Sequence, residues 1–207
     1  MKKDDVLQIR DEIIKAALPD IVFDGWHWET IERAAEKTGQ SQATLRAVFP
    51  AGLMDVLDGF SDLADRQMLA ALGDAPPEDM RIRDRIRTCV LTRFEVLAAH
   101  KEAVRASASF WALPSRKPRG AKMVWRSADK IWNWAGDDAR DYNHYTKRGL
   151  LSGILVSTML VWLDDESVDM SITKDFLDRR IENVLFVGQT LGRLNLGRFM
   201  KGLKKAS

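Results

Sequence analysis

Between Gly149 and Leu163 the chain runs for fifteen residues, GLLSGILVSTMLVWL, without a charge, and then stops at Asp164 and Asp165. At a rise of 1.5 Å per residue such a helix reaches roughly 22 Å, short of the ~30 Å hydrocarbon core of a bilayer. The run therefore predicts a buried helix of a water-soluble protein, not a membrane span. A helix apolar all round must be covered all round. Gly149, Gly153 and Ser157 recur every four residues, a side-chain-poor stripe against which another helix backbone packs closely. Leu151, Ile154, Leu155, Thr158 and Trp162 share another side, which predicts one wall for a symmetry mate and one for an elongated apolar cavity.

Helical spacing governs almost all of the remainder, and strand-like alternation is missing, so the expected fold is all-α. A first helix, with Val6, Ile9, Ile13, Ile14 and Ala17 on one face, is expected to end at Pro19. A second follows Trp28 and stops at Gly39, a third covers Gln42–Val48 with Ser41 as its cap, and a fourth covers Leu53–Leu72. Gly73–Asp79 (GDAPPED) reads as the clearest joint. Further helices are expected at Met80–Ala99, Lys101–Ala112, Ala121–Ala135, Tyr142–Leu163, Thr173–Leu191 and Leu194–Lys204. The stretch Ser115–Arg126, with five cations and no acid, reads as a basic loop. The organisation expected is an N-terminal part over residues 1–72, a helical domain over 80–192 and a terminal helix over 193–207.

Glu29–Phe49 (ETIERAAEKTGQSQATLRAVF) has the two short helices and glycine turn of a helix-turn-helix. With the longer helix behind it, this part resembles the N-terminal domain of TetR-type regulators, and such a reader would place Gln42, Thr44 and Arg46 on base edges. A DNA-binding, ligand-sensing regulator is accordingly the alternative function. The charge balance argues against it: residues 1–60 carry seven cations and eleven acids, net −4, whereas phosphate neutralisation supplies most of a DNA reader's affinity. The motif reads better as scaffold, with no nucleic-acid partner.

Catalytic patterns are scarce. His27, His100 and His144 stand apart, the single cysteine, Cys89, forbids an internal disulfide, and no phosphate loop or nucleophile elbow occurs. No enzyme activity, cofactor or metal is expected. The large flat side chains Phe94, Phe110, Trp111, Trp132, Trp134 and Phe186 suggest apolar walls beyond what a small core needs. At the C-terminus, Leu196, Phe199, Met200 and Leu203 fall on one side of a helical wheel, with Arg198, Lys201, Lys204 and Lys205 opposite. That pattern suits the headgroup plane of an anionic membrane. The opening residues, MKKDDVLQIRDEI, lack an export signal and an Arg-rich transit peptide. The expected setting is therefore a bacterial cytoplasm, with peripheral attachment at the inner membrane.

Three motifs carry a more specific likeness: Trp132–Asp137 (WNWAGD), Asp141–Arg148 (DYNHYTKR) and Phe176–Arg180 (FLDRR). In that order around an apolar helix and an acidic loop, they resemble the ubiquinone-biosynthesis accessory proteins of the Coq-nine family. The chain departs from the family pattern at His144, where a Trp is usual, and at Lys147, where an Arg is. The resemblance implies a TetR-like homodimer that is not a repressor, an interior for isoprenoid lipids including quinone intermediates, and a membrane-touching terminal helix. The lipid would meet Phe94, Phe110, Trp111, Trp132, Leu151, Ile154, Leu155, Thr158, Trp162 and Phe186. It also implies a partner, a di-iron hydroxylase of quinone synthesis, met by a surface mapping onto Asp129, Asp141, His144 and Tyr145.

Overall fold

The structure is a computed structural model that describes residues 2–137 and 142–183, with the backbone alone for Tyr142 and Asn143. Eight α-helices are assigned in order among the described residues. They are α1 (Lys3–Asp24), α2 (Trp28–Lys37), α3 (Gln42–Val48), α4 (Leu53–Leu72), α5 (Ile82–Leu97), α6 (Lys101–Ala112), α7 (Lys117–Trp134) and α8 (Tyr142–Leu163). Residues 171–183 are helical as well, and no strand occurs among the described residues. The chain divides into two compact units, Met1–Ser152 and Gly153–Ser207.

Local chemistry sets the helix ends of the N-terminal part. The Ser41 hydroxyl accepts the Thr44 N–H at 3.1 Å and starts α3. Gly39, at φ +72°, lets the Gln40 N–H reach back to the Ala35 carbonyl and closes α2. Around this turn Ile13, Ile14, Ala17 and Ile21 of α1 meet Ile31, Ala34 and Ala35 of α2, Leu45 and Val48 of α3, and Val56 and Leu57 of α4, all buried. Trp26 joins this cluster to α6: its indole N–H donates to the Ala103 carbonyl at 2.9 Å.

Two prolines behave otherwise than their identity suggests. Pro19 lies inside α1, which continues to Asp24 and ends at Gly25, φ +70°. Pro19 and Lys15 are both exposed. The carbonyl deprived of its bond thus lies on the solvated side, while the buried face carries the helix through. Pro118 stands in the first turn of α7, where an N–H would have no helical acceptor anyway. The basic stretch is therefore mostly helix rather than loop.

That helix answers a row of acids on α4. Asp55, Asp58, Asp62 and Asp65 follow helical spacing along α4, and α7 answers them rung by rung. Arg119 pairs with Asp55 at 2.5 Å, Arg126 with Asp58 at 3.0 Å and Lys130 with Asp62 at 2.7 Å. Paired numbers rise together, so α4 and α7 run in the same sense. The innermost rung is buried: Asp65, fully inaccessible, accepts the Ser127 hydroxyl at 2.9 Å and the Arg93 guanidinium at 2.9 Å, which also donates to Ser61. Arg66 extends the ladder to α1 by two bonds to Asp11, 2.6 and 2.7 Å, and these hold its charge above the ordinary arginine value. Arg116 lies over the Phe110 ring at 3.7 Å. Of the five cations in the stretch read as a basic loop, Arg116, Arg119 and Arg126 are thus engaged within the protein.

Removing the buried carboxylate while its arginine remains should be severe. Asp65→Ala is expected to cost about 3–5 kcal/mol in chemical denaturation, whereas Asp55→Ala, at the less buried end of the ladder, should cost about 1.5–3 kcal/mol.

Candidate functional site

The motif residues singled out by sequence meet at the corner between α7 and α8. Ala135, fully buried, and Gly136, at φ +87°, end α7: the Gly136 N–H donates to the Asn133 carbonyl and the Asp137 N–H to that of Trp132. The carbonyl of Ala135 is capped by Arg85 at 3.1 Å. This turn delivers Asp137 to the first turns of α8, where Lys147 donates to it at 2.5 Å and Arg148 at 3.1 Å. Burial alone would raise the Asp137 carboxyl. The hydrogen bonds from Lys147 and Arg148 outweigh it and hold the group below the usual carboxylate range.

Arg148 is the hub. Only 1% exposed, it reaches Asp129 at 2.5 Å, Asp137 at 3.1 Å, the Asn133 side-chain oxygen at 3.2 Å and the His144 carbonyl at 3.3 Å. Trp132 braces the same corner, its N–H donating to the Lys147 carbonyl at 3.1 Å while the Lys147 ammonium sits 5.3 Å over its ring. Outside this frame stands Tyr145, 65% exposed, with the His144 ring edge-on at 5.2 Å and the Trp125 ring at 6.3 Å. Asp129, His144 and Tyr145 are thereby brought together; Asp141 lies outside the described residues. Trp125, Asn133 and Arg148 were not singled out by sequence as site residues. For Arg148 a signal existed, since it is the last charge before an apolar run.

The residues proposed for lipid contact are placed less uniformly. Phe94 and Trp111 are buried, Phe110 and Trp132 are half-exposed, and Leu151, Ile154, Leu155, Thr158 and Trp162 are buried along one side of α8. Phe186 lies outside the described residues, as do Leu196, Arg198, Phe199, Met200, Lys201, Leu203, Lys204 and Lys205. The indole N–H of Trp111 and the hydroxyl of Thr158 are buried polar atoms with no hydrogen-bond partner among the described residues. The other side of α8 departs from the expectation of full cover. Gly149 and Gly153 are exposed, together with Val156 at 40% and Leu160 at 54%. A Cβ at Gly149 would meet only Trp125 at 3.8 Å, and one at Gly153 nothing within 4 Å. No described helix is long and apolar enough to cross a membrane.

The helix order and the helix-turn-helix define an all-helical protein of TetR-like fold. The crystal structure of a TetR transcriptional regulator from Nitrosomonas europaea superposes with a TM-score of 0.67 at 20% identity, covering 86% of this chain and 99% of that one, a likeness of fold alone. Residues 117–188, which include the whole α7–α8 corner, match the COQ9 family model. The mitochondrial ubiquinone biosynthesis protein COQ9 of Rattus norvegicus is 31% identical over 88% of this chain and 61% of its own length. That of Homo sapiens is 29% identical over 88% of this chain and 59% of its own length. The chain is thus similar to the COQ9 proteins along most of its length, and residues 117–188 match their family model. It spans about three-fifths of the length of these relatives.

These relatives overturn the expected setting. They are named as mitochondrial proteins, which points away from a bacterial cytoplasm and its inner membrane. The expectation rested on the first residues, and in a chain spanning part of its relatives those residues carry no information about a leader.

Truncating Arg148 to alanine leaves the buried Asp137 with Lys147 as its remaining ionic partner and is expected to cost about 1.5–3 kcal/mol, with Arg148→Lys intermediate, in urea denaturation. The depressed Asp137 group contributes stability that is fully present above the unfolded carboxylate value of about 4 and is lost as pH falls through its lower folded value. Tryptophan fluorescence of the corner should therefore hold at pH 5 and change only in stronger acid.

Proposed function

We propose that this chain works in ubiquinone biosynthesis as a non-catalytic accessory protein, binding an isoprenoid quinone intermediate at a membrane surface and presenting it to a hydroxylase. The observation that carries the reading is the α7–α8 corner. Residues matching the COQ9 family build a buried Arg148 frame whose outward product is an exposed aromatic group around Tyr145. That group heads the same helix whose buried side holds Leu151, Ile154, Leu155, Thr158 and Trp162, so partner contact and lipid contact share one element. The work is physical rather than chemical. Each methylene of the tail that leaves water contributes about 0.8 kcal/mol, and the interior must match what the bilayer offers. The buried hydroxyl of Thr158, without a partner among the described residues, is a donor that a quinone oxygen would satisfy.

The homodimer belongs to the same proposal: Gly153, Val156 and Leu160 form the exposed apolar strip on which a second copy would pack. Membrane contact is assigned to the basic segment around Phe199 and Lys201. The regulator alternative gains nothing from the fold likeness, because the cations beside the helix-turn-helix are paired, Lys37 with Asp20 at 2.7 Å and Arg33 with Asp24.

Deletion of the gene in its host followed by quinone analysis should show an under-hydroxylated precursor; an unchanged quinone profile removes the pathway assignment. Mass spectrometry of the purified protein should detect a co-purifying isoprenoid quinone. Thr158→Val should lower its amount severalfold while leaving unfolding free energy unchanged or raised by up to about 1 kcal/mol. Retention of full lipid load by that variant counts against the headgroup contact.

A further inference from the structure

We infer that Trp125, on α7, is the aromatic anchor of the partner-binding surface; the inference rests on the reading of the Tyr145 corner as that surface. Three observations lead to it. Position 144, where a large aromatic would be expected to project beside Tyr145, holds a histidine whose ring stands edge-on to Tyr145 at 5.2 Å. The flat area next to Tyr145 is supplied from the other helix, the Trp125 ring lying 6.3 Å away with 33° between the planes. Gly149 of α8 lies beside it: a Cβ there would stand 3.8 Å from Trp125 Cζ3, an ordinary contact, so only a longer side chain at 149 would crowd or cover the ring.

Trp125 is half-exposed and Tyr145 65% exposed, so both rings keep surface open to solvent, with His144 edge-on to Tyr145. One turn on along α7 stands Asp129, its carboxylate fixed by Arg148 at 2.5 Å and by Asn133 at 3.2 Å yet 38% exposed. An aromatic pair with an immobilised carboxylate beside it fits a protein partner that presents an apolar side chain flanked by a cation. Buried aromatics of this kind dominate the energetics of protein interfaces, whereas the charged rim mainly sets orientation.

The experiment is binding of the full chain to the di-iron quinone hydroxylase of the same organism, followed by biolayer interferometry, with circular dichroism melts on every variant. Trp125→Ala and Tyr145→Ala should each weaken binding at least tenfold, and Trp125→Phe should retain it within threefold. Gly149→Leu, which removes no packing atom and adds bulk beside the ring, should also weaken binding at least tenfold with an unchanged melt; it keeps the test decisive if Trp125→Ala unfolds. Loss of binding on Tyr145→Ala with both Trp125→Phe and Gly149→Leu at wild-type affinity, and Trp125→Ala folded and within twofold, overturns the role of Trp125 alone. Wild-type affinity in Tyr145→Ala as well overturns the partner surface itself.

Discussion

Asp65 is the charge on which the arrangement of the first unit depends. A carboxylate fully removed from water is tolerated only where donors replace its hydration, and here they arrive from two other helices, Arg93 of α5 and Ser127 of α7. Because each donor sits on a different element, the carboxylate fixes the mutual register of α4, α5 and α7 more tightly than apolar contact would, since hydrogen bonds are directional and apolar packing is not. The half-exposed rungs along α4 and α7 extend that register towards the helix-turn-helix, and Arg66 carries it to α1. The corner that holds Tyr145 lies at the far end of the same α7, so its placement inherits the register set at Asp65.

The same ladder separates fold from function. A helix-turn-helix that grips nucleic acid keeps its cations free for phosphate. In this chain two of the acids of the N-terminal part, Asp55 and Asp58, are bound to α7, and Arg33 and Lys37 are bound to Asp24 and Asp20. The packing of the motif is intact: a capped α3 and a glycine turn bury Leu45 and Val48. Likeness of fold to a regulator is thus carried by apolar residues. Fold and function sit on different residue types, and one can be kept while the other is lost.

Elements with chemical punctuation at both ends were legible from residues alone. Gln42–Val48 begins at a serine cap, Leu53–Leu72 runs between two glycines, and Tyr142–Leu163 ends where charge returns; all three stand where their spacing placed them. The prolines were not legible, because whether a proline ends, opens or merely interrupts a helix depends on which side of that helix is buried. Pro19 survives on a wet face and Pro118 opens a first turn. The aromatic part of the candidate site was half legible: Tyr145 and Asp129 lie in or near a motif, whereas Trp125 joins them only through the approach of two helices at Gly149. The α4 and α7 charges had matching helical spacing in the sequence, but their pairing spans more than sixty residues, and local pattern does not choose between a solvated face and a distant mate. Arg148 escaped for a related reason: a charge next to an apolar run looks like an edge, and only Asp129 and Asp137 together make it a centre.

Cys89 has a consequence of another kind. It is fully buried in α5, and desolvation pushes its thiol up to about 12. Thiolate, the species that reacts with maleimides and nitroxide reagents, is scarce there at neutral pH. The native chain is therefore a quiet background for site-directed labelling. A cysteine introduced at an exposed place such as Phe23 or Val168 would be the one reactive handle, and a spin or fluorescent reporter attached to it could follow docking on a vesicle without first rebuilding the interior.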